Sequence, residues 1–211
     1  MRLLFATCLL VSFVGLAQSA VPGFDLDRTV FNGGARETLT LNSGDVLAPQ
    51  RIRVGLFGHY LKDGLVLTSN GTRVGAVVGN RVTGHVIAHY GVSESFDLGL
   101  QLPMVLMQNG DDLAARGVAP VENASLGAPS LQGRFALFRQ GRGEDPMDLA
   151  FSLGVNLPFG SSGALTKDPG LGFALAPRVG GGYSFGPIRV GGELGSQVRG
   201  AAVLSPNNPS L

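Results

Sequence analysis

From Ser95 to Leu106, apolar and polar positions alternate one by one. Phe96, Leu98, Leu100, Leu102 and Met104 hold one phase, and Asp97, Gly99, Gln101 and Pro103 hold the other. Successive side chains of a strand point to opposite faces, so this segment has one apolar face and one polar or small face. Met147 to Pro158 repeats the pattern, with Leu149, Phe151, Leu153, Val155 and Leu157 against Asp148, Ala150, Ser152, Gly154 and Asn156. Glycines inside both segments argue against helix. Five further segments follow the same rule. Residues 51–60 set Ile52, Val54 and Leu56 against Arg51, Arg53 and His59. Residues 81–90 set Val82, Val86, Ala88 and Tyr90 against Arg81, Thr83, His85 and His89. Residues 130–139 oppose Leu131, Phe135 and Leu137 to Gln132 and Arg134, and residues 173–184 oppose Leu175, Val179 and Tyr183 to Ala174, Ala176 and Arg178. Residues 188–199 oppose Ile188, Val190, Leu194 and Val198 to Arg189, Glu193, Gln197 and Arg199. Segments of about ten residues with period two are the sequence signature of transmembrane barrel strands.

The connections sort by length. Those at 91–94, 140–146 and 186–187 are short, and those at 61–80, 107–129 and 159–172 are long. Short periplasmic turns and long outer loops are the plan of bacterial outer-membrane barrels. The first long connection contains Asn70-Gly71, a two-residue hairpin signal. Such a turn sets Ser69 opposite Thr72. Continued regularly, it would place inward His59 opposite outward Val82, although directly paired residues share a face. A bulge or an odd-length loop must therefore intervene, and Gly64, Gly75 and Gly79 are candidate sites.

The pattern predicts an all-β fold, an antiparallel transmembrane β-barrel. Seven strands are visible, and single-chain bacterial barrels use even numbers, so the expectation is part of a barrel of eight or more. Residues 21–50 read as a lead-in or an extra strand, and 51–211 as the barrel, truncated at its C-terminus or drawn from a longer protein. A soluble exported β-sandwich is the alternative, because burying one face against a second sheet also gives alternation.

Composition narrows the class. Charged residues make up 15% of the chain, below the roughly 25% of ordinary soluble domains. The net charge of +1 gives no field to attract nucleic acid. Arg2, the apolar stretch Leu3 to Leu16 and the small residues Ala17, Ser19 and Ala20 form a secretory signal peptide over residues 1–20. Cys8, the single cysteine, lies inside it, so the exported chain would hold together without disulfides. A closed barrel with every backbone group paired does so.

The runs Gly55-Leu56-Phe57-Gly58-His59-Tyr60, Asp63-Gly64-Leu65-Val66-Leu67 and Val74-Gly75-Ala76-Val77-Val78 resemble a known family. So do Leu98-Gly99-Leu100-Gln101-Leu102-Pro103-Met104-Val105-Leu106 and Gln108-Asn109-Gly110-Asp111-Asp112-Leu113. From about Phe24 to Gln140, the chain resembles the N-terminal barrel region of myxobacterial-type proteins of the outer-membrane protein A family. Members typically follow the barrel with calcium-binding repeats and a peptidoglycan-binding domain, and one branch takes part in cell-surface recognition. No such domain occurs within these 211 residues, so no wall-binding residue is carried over.

The candidate chemistry is sparse. Arg51, Arg53, Arg81, Arg134, Arg178 and Arg189 share the inward phase with Asp97, Asp148 and Glu193, and these nine are the expected lumen lining. In a small barrel they form a salt-bridged plug, and in a wider one an anion-preferring pore lining. His59, His85 and His89 fall on the polar face of neighbouring strands and are weak metal candidates, because no cysteine or clear carboxylate joins them. Asp111-Asp112 reads as a solvated loop tip. No nucleophile elbow, phosphate loop or zinc-protease motif occurs, so no enzyme, catalytic residue or cofactor is expected. The expectation is a non-catalytic outer-membrane barrel of structural or surface-recognition role, with a porin-like channel as the alternative. Its expected partners are outer-membrane lipid and lipopolysaccharide, with cell-surface partners at the outer loops.

Overall fold

The computed structural model describes residues 25–27, 29–32, 41–140, 147–167 and 173–199. The expected signal peptide, residues 1–20, lies outside these, as does the tail from 200. Eight strands are present: β1 (Ile52–Ser69), β2 (Thr72–Ser93), β3 (Phe96–Asn109), β4 (Ser125–Leu126), β5 (Ser130–Gln140), β6 (Met147–Asn156), β7 (Ala174–Phe185) and β8 (Ile188–Gly195). They form a single antiparallel sheet of order β1-β2-β3-β5-β6-β7-β8, with the two-residue β4 paired to the far part of β3. The sheet curls into a half-barrel. No second sheet packs on it among the described residues, which corrects the sandwich alternative. One three-residue 3-10 turn, Ala114–Arg116, is the only helix described, and no helix is long and apolar enough to cross a membrane.

All seven expected strands are present, with one correction. Residues 61–80 are not a long loop but the far half of a hairpin between β1, of 18 residues, and β2, of 22. The turn is Asn70-Gly71, both at positive φ, as a primed two-residue turn requires. Ser69 pairs with Thr72, while His59 pairs with Thr83 and stays on the inner face. Register shifts between Lys62 and Leu65, between Leu65 and Val66, and between Leu67 and Thr68 reconcile the two. The first holds Gly64 and lies opposite Gly79, the second leaves Val77 without a partner, and the third lies beside Gly75. At the other margin, β8 stops at Gly195, and Val198 then makes an isolated bridge to Leu175 in place of a continuous strand to 199.

Register lines up the outer face in rows. Leu100 pairs with Leu131, Leu131 with Val155, and Val155 with Leu175. Nearer the short turns, Phe96, Phe135, Phe151, Val179 and Leu194 are successive partners across five strands. The Phe96 and Phe135 rings lie 4.5 Å apart. Most of these side chains are exposed, as are Leu56, at 76%, and Leu194, at 83%. The concave face is the reverse: Arg134, Asp97, Thr83 and Ser152 are fully buried. Apolar outside and polar inside is the burial order of no ordinary soluble core.

The described part of the N-terminal segment contains no strand. It lies on the concave face. Residues 41–48 cross the short-turn end of the strands from β8 to β2. Asn42 N–H donates to Glu193 at 2.9 Å, Leu47 N–H to Asp97 at 2.7 Å, and the Val46 carbonyl accepts from Arg139 at 2.7 Å. Gly44, at φ +87°, fits so closely under β6 that a Cβ there would stand 2.6 Å from the Asp148 carbonyl oxygen.

Candidate functional site

The concave face is the only region where charged, imidazole and amide side chains are gathered and buried together among the described residues. Three levels can be distinguished along the strands.

At the short-turn level, Arg134 holds Asp97 with two bonds, Nε to Oδ1 at 2.8 Å and Nη2 to Oδ2 at 2.5 Å. Direct pairing of Asp97 and Arg134 in register brings them together. Both side chains are fully buried, and the fork geometry leaves neither charge uncompensated. Arg189 reaches Asp148 at 2.9 Å and also donates to the Ser43 carbonyl at 2.9 Å. Arg178 donates to Glu193 at 3.1 Å. Six of the nine residues expected in the lumen thus form three carboxylate–guanidinium pairs, and the pairs hold the backbone of residues 42–47. Arg51 and Arg53 are instead exposed, near the start of the margin strand β1.

At the long-loop level sits Arg81, buried, with no carboxylate across the fork. Its Nη1 donates to the carbonyls of Ala164 and Leu165, both at 3.3 Å, and its Nε to Thr83 Oγ1 at 3.2 Å. Gln108 donates to the carbonyls of Glu122, at 2.6 Å, and Ala164, at 3.2 Å. Both long loops are thereby drawn in over the concave face, and Ser161 ties them together by donating to Glu122 at 2.7 Å. Asp111, expected at a solvated tip, accepts from the Ala76 N–H at 2.7 Å, and Asp112 caps the turn at Ala114 N–H, 3.1 Å away.

The middle level joins the two. Gln101 accepts from Phe31 N–H at 3.2 Å and donates to the Thr29 carbonyl at 2.8 Å. These bonds orient its amide, whose nitrogen also lies 3.2 Å from His85 Nδ1. Phe31 stacks on Phe57 at 4.8 Å and meets the edge of His85 at the same distance. His85 Nε2 is 3.1 Å from Asp27 Oδ2, His59 Nε2 is 3.5 Å from the same oxygen, and His85 Nε2 lies 3.3 Å from His59 Nδ1. Burial pushes the Asp27 carboxyl up, but the His85 imidazole 3.1 Å away, the Thr29 N–H and the nearby His59 together outweigh it. Asp27 is held below its ordinary value. His89 stands apart from this cluster, with its ring over Gly99, where a Cβ would collide with it.

Two of the three histidines are therefore brought together and the third is not, and the carboxylate the sequence did not supply is Asp27. Its signal was present locally. Asp25 accepts from Asp27 N–H and Asp27 accepts from Thr29 N–H, two successive Asx turns spelled by Asp-x-Asp-x-Thr. Nothing in that spelling says which strands the turns dock against. Gln101 occupied the inward phase without being singled out, because an amide carries no charge to flag it, and Gln108 fell in the expected loop at 107–129 and turns inward only through the register shift between Val105 and Met107.

No family model, curated protein or solved structure matches the chain.

Proposed function

We propose that this chain is the wall of an outer-membrane β-barrel in a Gram-negative envelope, exported by its leader, non-catalytic and with a structural or surface-recognition role. One observation carries the reading: burial is inverted across a single curled sheet. Rows of Leu, Val and Phe face outward while ion pairs lie within. In water this arrangement would leave the apolar rows exposed, and in hydrocarbon they are solvated. Aromatic side chains favour it further, with Phe96, Phe135, Tyr183 and Phe185 towards the short turns and Tyr60, Phe159 and Phe173 towards the long loops. Such girdles sit at the two interfaces of a membrane barrel. The separation from Phe96 to Leu106 matches the 9–11 residues or so of a spanning strand.

The family resemblance agrees with this reading, and lipid with lipopolysaccharide would be its surroundings. The β1–β2 hairpin and the loops at 110–124 and 157–167 would form the outer surface available to partners. The porin-like alternative is disfavoured because Arg134, Arg178 and Arg189 are paired with carboxylates, Arg81 is bonded to loop carbonyls, and loops and the N-terminal segment cover the concave face. Planar-bilayer conductance of the refolded protein separates the two. We expect no ohmic steps, and stable steps that shift on charge reversal at Arg178 would reject the plugged reading. Cysteine at Asp112 should label on intact cells and cysteine at Glu94 should not, and the opposite pattern would reject the orientation.

A further inference from the structure

We propose that Asp27, His59 and His85 form a site for one divalent transition-metal ion of the zinc class, pinning the N-terminal segment to β1 and β2. They are the one group of three or more potential ligand residues gathered within bonding reach among the described residues, their donor atoms all within 4.8 Å of one another. Two ligands at about 2.0–2.1 Å from a tetrahedral zinc ion stand about 3.3–3.4 Å apart. The separations of 3.1 Å from Asp27 to His85 and 3.5 Å from Asp27 to His59 bracket that edge. His59 offers a choice of ring nitrogens, since its Nδ1 is 3.3 Å from His85 Nε2.

A second observation points to a cation. The Asp27 side chain is 6% exposed, yet its Oδ2, the oxygen aimed into the cluster, has no aligned hydrogen-bond donor. A buried carboxylate oxygen without a donor is costly, and a bound cation removes that cost. Nearby Arg81 directs its Nε and Nη1 to Thr83 Oγ1 and two loop carbonyls. Two imidazoles and a carboxylate suit zinc, copper or nickel, whereas calcium and magnesium take oxygen ligands. Three protein ligands leave a fourth position, and His59, with a third of its side chain exposed, marks the side on which it opens.

The outer shell is partly built. Thr29 N–H fixes Asp27 Oδ1 at 3.1 Å, and Phe31 buttresses the His85 ring. Metal on His85 Nε2 moves the ring proton to Nδ1, which then needs an acceptor. Turning the Gln101 amide over supplies one and releases its bonds to Thr29 and Phe31. Metal loading and the hold on residues 29–31 are thus coupled.

The test uses the full chain refolded in detergent and titrated calorimetrically with zinc chloride, then with cobalt chloride followed by visible absorption. We expect one ion per chain and the d–d bands of tetrahedral cobalt. His59→Ala and Asp27→Asn should each weaken zinc binding by at least about 100-fold, the upper end of what even an outer partner's loss costs. His89→Ala, outside the cluster, should leave it unchanged. Circular dichroism checks that each variant folds, and partly exposed His59 decides alone if Asp27→Asn does not refold. Absence of zinc heat and cobalt bands in the unmodified chain would overturn the site. So would His59→Ala binding as the unmodified chain does, or His89→Ala losing as much.

Discussion

Two forked Arg–Asp pairs occupy opposite environments in this molecule. On the far half of the hairpin, Arg73 grips Asp63 with Nη2 to Oδ1 at 2.7 Å and Nη1 to Oδ2 at 3.2 Å, with Arg73 exposed and Asp63 partly so. On the concave face, Arg134 grips Asp97 with two bonds as well, from Nε and Nη2, with neither side chain accessible. The chemistry is the same and the consequence of losing one partner is not. An exposed pair exchanges protein for water, while a buried one leaves an uncompensated charge in a poor dielectric.

Removing one buried partner should therefore have the largest effect. Arg134→Ala is expected to cost about 3–5 kcal/mol in denaturant unfolding of the refolded protein. The joint replacement Arg134→Met with Asp97→Leu should recover most of that, because no charge is stranded, although Leu47 N–H still loses its acceptor. Equal losses in the single and joint variants would break the comparison.

Next comes the outer face of the same strand. Leu100→Arg should cost about 2–4 kcal/mol in a bilayer if it lies at the midplane. From alternation alone, Gln101→Arg, on the inner face, would be much cheaper. The structure overturns that expectation. Gln101 is 8% exposed and bonded to Thr29 and Phe31, so an arginine there displaces the segment it holds. Both variants should destabilise, but only Gln101→Arg should increase proteolysis within residues 25–32.

At the hairpin tip, Gly71→Ala should cost about 1–2 kcal/mol, because φ is +76° and no atom lies near enough to clash. The penalty is purely conformational, and a shift confined to local hydrogen exchange near Asn70 would sharpen the contrast with Arg134. Smallest is the exposed pair itself. The hydrogen bond from Arg73 holds Asp63 below the usual carboxylate value of 3.8. Its contribution is thus present above that value and fades as pH falls through the lower folded one. Because solvent screens the pair, Asp63→Asn should shift the unfolding midpoint at neutral pH only slightly, and a loss as large as that of Arg134→Ala would break the comparison.

Much of the wall was legible in the sequence because period-two alternation is read one residue at a time. Parity alone demanded an irregularity between Asn70 and His59, and three register shifts, including a bulge at Asp63-Gly64 with Asp63 at φ +52°, supply a net change of one residue. The length of the hairpin was not legible. Leu65-Val66-Leu67 and Val77-Val78 break alternation at the bulges, so strand looked like loop. The site was half legible. Inward phase named Asp97, Arg134, Asp148 and Arg189; register pairs the first two directly, while Arg189 reaches Asp148 across β7 past Gly182. Asp27 was invisible as a partner because its closeness to His85 depends on how residues 25–32 lie across three strands, which no local spacing encodes.

The path of residues 42 and 43 over β7 and β8 has a consequence for how this protein would be mutated in search of its important positions. A Cβ on Gly182 would stand 2.5 Å from the Ser43 carbonyl oxygen, and one on Gly191 would stand 2.8 Å from Ser43 Cβ. These positions matter through the atoms they lack. A conventional scan that trims side chains to alanine measures what each residue contributes by its presence, so it skips or misreads a seat made of empty space. Scanned in the opposite direction, by adding a single methyl group, the same strands would trace the outline of the bound segment as a footprint.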